Sequence, residues 1–380
     1  MGRQGRRRFE ASGLRGTPEG KVKHVWKGAS GMKPALSFFD ETIRCISRGR
    51  GLASQEIPLL ADKIFRATGA VVDIPVELFQ KISPDTLSQF ENVRVWLNAE
   101  TSEIQRAHRG GCGRIAIEFD PLRENRARFE RALEAARRYG MEISWGCMDG
   151  NHCTPERVGV FQDLIEQGGI QRLIVADREG RMEPFATERL LSDLRKKIGC
   201  PLEYHADNSM GMATANVLGA LRSGIRHVAV SLGGVGQCPA YEEVAMSAKY
   251  FLQIPLTVSR QLAPLCRDVL AQLGQKIVEN KAIIGPDIFS HESGIHVDGV
   301  MKKSELYEPF SPESVGLIRR IVIGKHSGRA ALSEKLRQLG MDIHPAALPG
   351  VLEKVREVSI RQKGPLSDEQ LAQVIREVEF

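Results

Sequence analysis

Residues 201–236, PLEYHADNSMGMATANVLGALRSGIRHVAVSLGGVG, contain one complete unit of strand, helix and strand. A short strand-like run at 201–209 is followed by a stretch whose apolar residues recur every three or four positions. That stretch ends in Gly224, as helices often do, and a second strand-like run follows at 227–236. Strand, helix and strand in this order are typical of a parallel sheet covered by helices.

The same unit recurs along most of the chain. Eight strand-like runs alternate with helical stretches, at 35–43, 70–77, 92–99, 114–120, 141–149, 172–180, 201–209 and 227–236. This alternation predicts a (β/α)8 TIM barrel over residues 34–255. After about residue 255 the alternation stops, and residues 256–380 are predicted to form linker helices and a mostly helical C-terminal lid subdomain.

Composition narrows the class of protein. The 380-residue chain is 42% hydrophobic and 26% charged, which is typical of a globular protein. No apolar run approaches the roughly 20 residues of a membrane-spanning helix, and no signal-peptide pattern is recognised, so we expect a cytoplasmic protein without a membrane partner. The seven cysteines include no CxxC pair, which predicts reduced thiols rather than a disulfide framework or a thiolate zinc site.

The net charge of +6 is unevenly placed. Residues 1–33 hold nine Lys or Arg and two Glu, so the rest of the chain is nearly neutral. We predict a basic, flexible leader there, with an RNA-binding arm or an organelle-targeting peptide as alternatives. Elsewhere the sequence lacks the patterns of a recognition helix, a zinc finger or an aromatic stacking platform, so nucleic acid is not an expected partner.

Polar residues stand at the ends of most of the strand-like runs. They are Asp40, Glu77, Asn98, Asp120, Asp149, Asp177 and the pair His205 and Asp207. In a TIM barrel the carboxyl ends of the strands form the rim where ligands bind. Any one of these residues could simply cap the following turn or helix. Together they predict a shared polar cavity.

One run carries candidate metal ligands. Glu203, His205 and Asp207 are spaced two apart, so on a strand their side chains would face the same side, which is the barrel interior. His205 and Asp207 are therefore candidate ligands for Mn²⁺, Mg²⁺ or Zn²⁺. The alternative is a hydrogen-bonded histidine beside an aspartate that caps a turn.

Two other places are candidates for chemistry. By the same spacing Asp40, Thr42 and Arg44 would share a face, and Arg44 could bind a substrate carboxylate or stabilise an enolate. Alternatively, Arg44 pairs with a neighbouring carboxylate of the rim. In the segment 291–299, HESGIHVDG, one histidine could act as a general acid or base with Tyr307.

Several segments resemble one enzyme family. They are DETIR (40–44), MEPF (182–185), HADNSMGMATAN (205–216), FSHESGIHVDGVMK (289–302), SELYE (304–308) and IVIGKHSG (321–328). The chain resembles the homocitrate, isopropylmalate and citramalate synthases, and most closely the homocitrate synthases associated with nitrogen fixation. The resemblance implies a Claisen-type condensation, in which the enolate of acetyl-CoA attacks a metal-bound 2-oxo acid and the thioester is then hydrolysed. The first candidate for the oxo acid is 2-oxoglutarate.

The resemblance also implies residue roles. Arg44 matches the family's barrel arginine, and His205 matches the first histidine of its metal-binding pair. His296 and Tyr307 match a histidine and a tyrosine that the appended region supplies to the barrel of a partner subunit. A homodimer is therefore expected.

The chain departs from the family at the barrel mouth. Cys45 replaces a metal-binding carboxylate, Asp207 replaces the second metal histidine, and Met148 replaces an acidic residue that helps to activate acetyl-CoA. Two interpretations stay open. Either His205 and Asp207, with Cys45 or Glu203 as a third ligand, hold a metal in a rebuilt acyltransferase site, or the chain is a catalytically impaired paralogue that serves as a partner or regulatory subunit, possibly in a hetero-oligomer with an active one.

Overall fold

A closed barrel of eight parallel strands forms the body of the protein. The computed structural model describes residues 35–47, 49, 51–82, 92–120, 123–149, 162–292, 303 and 306–379. The strands follow chain order around the barrel: β1 (Ser37–Asp40), β2 (Val71–Pro75), β3 (Val93–Asn98), β4 (Arg114–Glu118), β5 (Glu142–Asp149), β6 (Arg172–Ala176), β7 (Leu202–His205) and β8 (His227–Val230). Each strand lies within one of the eight predicted runs, so the predicted TIM barrel is confirmed.

Helices follow the strands and continue after the barrel. The barrel helices are α1 (Thr42–Ser47), α2 (Glu56–Thr68), α3 (Val76–Phe79), α4 (Thr101–Arg109), α5 (Arg126–Arg138), α6 (Gln162–Gly168), α7 (Pro184–Lys197), α8 (Ala213–Arg222) and α9 (Tyr241–Tyr250). Beyond them lie α10 (Leu262–Gln272), α11 (Arg329–Leu339), α12 (Leu348–Gln362) and α13 (Asp368–Glu379). The predicted, mostly helical C-terminal region is thereby confirmed. A short parallel pair, β9 (Ser290–His291) and β10 (Arg320–Ile321), precedes its last three helices.

Barrel closure joins the two ends of the strand series. Strand β8 pairs in parallel with β1, with His227 opposite Ser37 and Val230 opposite Asp40. Because both strands end at the same height, the segments that follow them emerge side by side at the rim. Residues 42–47 and residues 232–238 are thus brought together although they lie far apart in the sequence.

Apolar side chains are buried in two large clusters. The larger one combines strand residues such as Val95, Ile117 and Val228 with helices around the barrel and extends to Leu317. The second cluster holds residues from Ile321 to Ile375 and is formed by the last three helices with β10. Among the described residues, the helices α11 to α13 therefore bury an apolar core of their own.

The helices α7 and α8 show how closely the outer layer packs. The Glu183 carboxylate accepts hydrogen bonds from the backbone N–H groups of Phe185 and Ala186, and Pro184 occupies the first turn, where its missing N–H costs nothing. Gly219 of α8 lies directly against this helix start, because a Cβ there would be 2.4 Å from the Pro184 carbonyl oxygen. Only glycine allows this approach.

The fold does not test the predictions made for the leader and for the domain boundaries. The basic leader predicted for residues 1–33 falls outside the described residues. The predicted domain boundaries stay predictions. Within the described part of the chain, no helix combines the length and the apolar character needed to span a membrane.

We expect Gly219→Ala to destabilise the protein. Alanine is a better helix former than glycine by about 1 kcal/mol, but the new methyl group would press on the backbone of Pro184. We expect a net loss of about 1–3 kcal/mol in the free energy of unfolding, measured by urea denaturation. In the control Gly199→Ala, no atom lies within 4 Å of the added Cβ, so stability should hold. A stabilised Gly219→Ala protein would contradict the proposed close packing.

Candidate active site

A buried network of charges fills the inside of the barrel. The Arg94 guanidinium on β3 donates to both carboxylate oxygens of Asp73 on β2 at 2.8 and 2.7 Å, and to both oxygens of Glu203 on β7 at 2.7 and 2.8 Å. All three side chains are at most 1% exposed. Burial would raise the pKa of Glu203, but Arg94 and His205 lower it to about 2. Glu203 is therefore a carboxylate that already has two partners.

His205 connects this network to the rim. Its Nε2 lies 2.6 Å from Glu203 Oε1, and its Nδ1 lies 3.5 Å from Glu41 Oε2. Burial would lower the pKa of His205, but the two carboxylates raise it to about 9. The ring is thus an imidazolium at neutral pH, with one N–H group directed at each carboxylate.

Arg44 lies at the mouth of the barrel, where α1 follows β1. Its Nη1 donates to Glu41 Oε1, its Nη2 is 3.9 Å from Glu118 Oε2, and its Cζ stands 3.8 Å from the centroid of the Trp96 ring. Burial would raise the pKa of Glu41, but Arg44 and His205 hold it well below its usual range. A guanidinium stacked on one side and anchored on another is held in one orientation, which suits it to receive a carboxylate.

A second group of side chains meets beside Arg44. The Sγ atoms of Cys45 and Cys238 are 3.4 Å apart, and Cys238 Sγ is 3.4 Å from Glu41 Oε2. One ligand atom from each of the three residues lies within 4.8 Å of the other two. Contact with Cys45, followed by burial and the Glu41 carboxylate, raises the pKa of Cys238 well above its usual value. The donor set of two sulfurs and one carboxylate is one that a divalent cation can use.

The loop after β8 carries Cys238 to this place. Gly233, Gly234 and Gly236 all have positive φ, which other residues rarely adopt. A Cβ on Gly236 would lie 2.3 Å from the Cβ of Cys45, so the loop backbone rests directly on α1. The glycines therefore allow the turn and the close approach that brings the two cysteines together.

Asp207 occupies a different environment. Strand β7 ends at His205, and Asp207 is a half-buried loop residue whose Oδ1 accepts a hydrogen bond from the Ser209 N–H at 2.8 Å. Neither Asp207 nor His205 belongs to the group of converging donor atoms found among the described residues. Their roles as metal ligands, like that of Glu203 as a third ligand, stay predictions.

The predicted residues of the C-terminal region are only partly placed. His296 lies outside the described residues. Tyr307 is described, and its side chain keeps 42% of its surface exposed. The proton-transfer roles suggested for these two residues stay predictions.

A cavity of about 410 Å³ opens beside Arg44. Trp96 lines it together with two cationic residues, Arg44 and Lys81, and two acidic ones, Glu77 and Glu118. The volume is in the range of small-molecule sites. Glu118 also accepts a hydrogen bond from Arg178 at 3.0 Å, so one of the two lining carboxylates has a cationic partner that is not part of the cavity wall.

Two protein-family models match the chain. Residues 83–258 match the family model described as HMGL-like, and residues 283–363 match the one described as homocitrate synthase post-HMGL domain-like. The 3-hydroxy-3-methylglutaryl-CoA lyase of Bacillus subtilis has the same fold, with a TM-score of 0.55 over 64% of this chain and 95% of that one at 14% identity. The corresponding lyase of Pseudomonas aeruginosa gives a TM-score of 0.52 over 64% and 94% of the two chains at 18% identity. The protein is thus an HMGL-like (β/α)8 barrel.

Sequence relatives then identify the family. The chain is 31% identical to 2-isopropylmalate synthase 2 of Caldanaerobacter subterraneus, over 76% of this chain and 79% of that one. It is also 31% identical to homocitrate synthase 1 of Nostoc, over 76% and 81% of the two chains. The (R)-citramalate synthase CimA of Methanocaldococcus jannaschii is 33% identical over 65% of this chain and 51% of its own length. The chain belongs to the homocitrate, isopropylmalate and citramalate synthase family, as its motifs indicated.

Several residues of the site were not predicted from the sequence, among them Glu41, Arg94, Asp73 and Cys238. Arg94 and Asp73 each stand alone in an apolar strand run, and a single charge within such a run was the available signal. Cys238 carried no comparable signal, because its partner Cys45 is 193 residues away. Only the closed barrel reveals that pair.

We expect Arg94→Met to lower the stability of the protein strongly. The change would leave Asp73 and Glu203 buried without their shared cation, and breaking a buried pair in this way costs about 3–5 kcal/mol. The matched control is Arg126→Met, which removes an exposed pair with Glu130 and should cost less than about 0.5 kcal/mol. Denaturant unfolding measures both changes. Equal losses would mean that the buried network contributes no more than a surface pair.

Proposed function

We propose that the protein condenses acetyl-CoA with a 2-oxo acid and releases CoA, with 2-oxoglutarate as the first candidate substrate. The observation that carries this proposal is Arg44, fixed by Glu41 and stacked on Trp96 at the edge of a cavity of substrate size. The relatives, named as synthases of isopropylmalate, homocitrate and citramalate, support the same reaction type.

Arg44 would bind the carboxylate of the oxo acid. An arginine side chain has five N–H donors, more than its contacts with Glu41 and Glu118 require. The network behind it, from Arg94 through Glu203 and His205 to Glu41, is buried and holds the guanidinium in place. A preoriented cation at this point would also stabilise negative charge that develops on the oxo acid oxygen.

His296 and Tyr307 are proposed for proton transfer. The Tyr307 side chain is 42% exposed in the single chain, so it is accessible to solvent and to another subunit. A homodimer in which one chain completes the barrel site of its partner is part of the proposal.

A divalent metal would supply polarisation of the oxo acid carbonyl when bound. The residues that would hold it are Glu41, Cys45 and Cys238, because their donor atoms converge beside Arg44. Arg44, held by Glu41 and stacked on Trp96, would meanwhile bind and orient the carboxylate of the oxo acid.

The second candidate is a partner or regulatory role beside an active paralogue. One observation favours it: Asp207, at the position of a family metal histidine, is engaged with the backbone of its own loop. In that case the barrel would keep its fold and its cavity without turning over substrate.

We expect purified protein supplied with a divalent metal, acetyl-CoA and 2-oxoglutarate to release free CoA, measured by chromatography. Oxaloacetate, pyruvate and 2-oxoisovalerate are tested in parallel. Arg44→Met should lower kcat/KM by about 10²–10³, because it removes the cation from the reacting centre. In the control Arg126→Met, which loses an exposed pair with Glu130 and does not line the cavity, activity should persist. If folded, metal-supplied protein released no CoA with any of the four acids, the partner role would replace the enzymatic one.

A substitution of Lys81 tests whether the oxo acid substrate carries a second carboxylate. It lines the same cavity as Arg44, so the two cations together suit an oxo acid with two carboxylates. We expect Lys81→Gln to raise KM for 2-oxoglutarate about tenfold through the loss of one charged contact. KM for pyruvate, which has no second carboxylate, should stay the same in this variant and serves as the internal control. Parallel changes for both acids would remove Lys81 from substrate recognition.

A further inference from the structure

We propose that Glu41, Cys45 and Cys238 form a binding site for a thiophilic divalent cation, Zn²⁺ in preference to Mg²⁺, with a fourth position open to a small ligand. This inference rests on the metal that the proposed function assigns to the same three residues, but metal binding is measured without substrates and would stand if turnover failed.

The distances between the donor atoms fit such an ion. Around a tetrahedral zinc with Zn–S near 2.3 Å and Zn–O near 2.1 Å, neighbouring ligand atoms are roughly 3.5–3.8 Å apart. The two sulfurs are 3.4 Å apart, and Cys238 Sγ is 3.4 Å from the Glu41 carboxylate. The third pair, Cys45 Sγ and a Glu41 carboxylate oxygen, lies within 4.8 Å, so side-chain adjustments would bring all three donors to the faces of one ion. Three protein ligands with one open position are the arrangement of catalytic rather than structural zinc sites.

The chemistry of the donors selects the kind of ion. Two thiolates with one carboxylate suit Zn²⁺ or Co²⁺, whereas Mg²⁺ requires a shell of oxygens. On binding, the two thiols would each release one proton to solvent, so one divalent cation replaces two protons. The absence of a CxxC pair from the sequence argued against a thiolate site, but the pairing of β1 with β8 brings the two cysteines together.

The fold holds these donors in place. Cys45 lies on α1, and the loop carrying Cys238 packs so closely on that helix that Gly236 has no room for a side chain. Glu41 is oriented by Arg44 on one oxygen and by His205 on the other. Partners of this kind fix the direction in which a ligand carboxylate points.

The test uses the full-length chain, stripped with a chelator and kept reduced with a phosphine. Titration with Co²⁺ should give one equivalent of bound metal with a thiolate-to-cobalt charge-transfer band in the near ultraviolet, and Zn²⁺ should abolish that band while excess Mg²⁺ should not. Cys238→Ser and Cys45→Ser should lose the band and weaken Zn²⁺ binding by at least about 100-fold in chelator competition. The matched control is Cys200→Ser, a cysteine outside the cluster, and it should bind like the unaltered chain.

A measurement without variants keeps the test valid if a serine variant fails to fold. Bound Zn²⁺ should protect Cys45 and Cys238, but not Cys200, from alkylation, as read by peptide mass spectrometry. Asp207→Asn keeps the oxygen that accepts the Ser209 N–H and should leave binding intact. The proposal would be overturned by the lack of a charge-transfer band, by equal alkylation with and without zinc, or by binding that survives Cys238→Ser and disappears in Asp207→Asn. The last result would favour His205 and Asp207 as the ligands.

Discussion

The site depends on one constraint: the Arg94 guanidinium must stay buried between Asp73 and Glu203. Each carboxylate inside the barrel would be costly alone, and Arg94 binds both through pairs of hydrogen bonds. Glu203 in turn fixes His205, His205 faces Glu41, and Glu41 binds Arg44 at the rim. The orientation of Arg44 at the rim therefore depends on Arg94, a strand residue deep in the barrel.

The charged groups that lead from Asp73 to Arg44 alternate in the sign of their charge. Three cationic groups, those of Arg94, His205 and Arg44, face the carboxylates of Asp73, Glu203 and Glu41, so the series as a whole is neutral. Neutrality explains how so many charges can be accommodated in an apolar barrel, because each has an opposite neighbour within hydrogen-bonding or ion-pair distance. Because the charged groups are neighbours in one series, a change in the charge of Arg94 would alter the electrostatic environment of Arg44, and the reverse.

The sequence predicted the architecture better than the site, for a physical reason. Strand alternation and helical periodicity are local, so all eight strands and the general location of the rim could be read from them. The two-residue alternation of side chains along a strand does not extend to Arg44 or Asp207. Strand β1 ends at Asp40 and β7 at His205, so Arg44 lies on a helix and Asp207 in a loop, where the two-residue alternation no longer applies. The pairing of Cys45 with Cys238 requires the barrel to close, which no local pattern records.

Charge conservation links the proposed metal site to the buried series. A divalent ion that replaces two thiol protons leaves the net charge at the rim unchanged. Arg44 and His205 would therefore face the same total charge before and after binding, and the hydrogen bonds that orient Glu41 need not be exchanged. A site of three carboxylates would instead carry three negative charges before the ion binds and one afterwards, so the charge that faces Arg44 would change on binding. A neutral thiol at Cys45 thus suits a barrel in which Glu41 already supplies the negative charge beside the arginine.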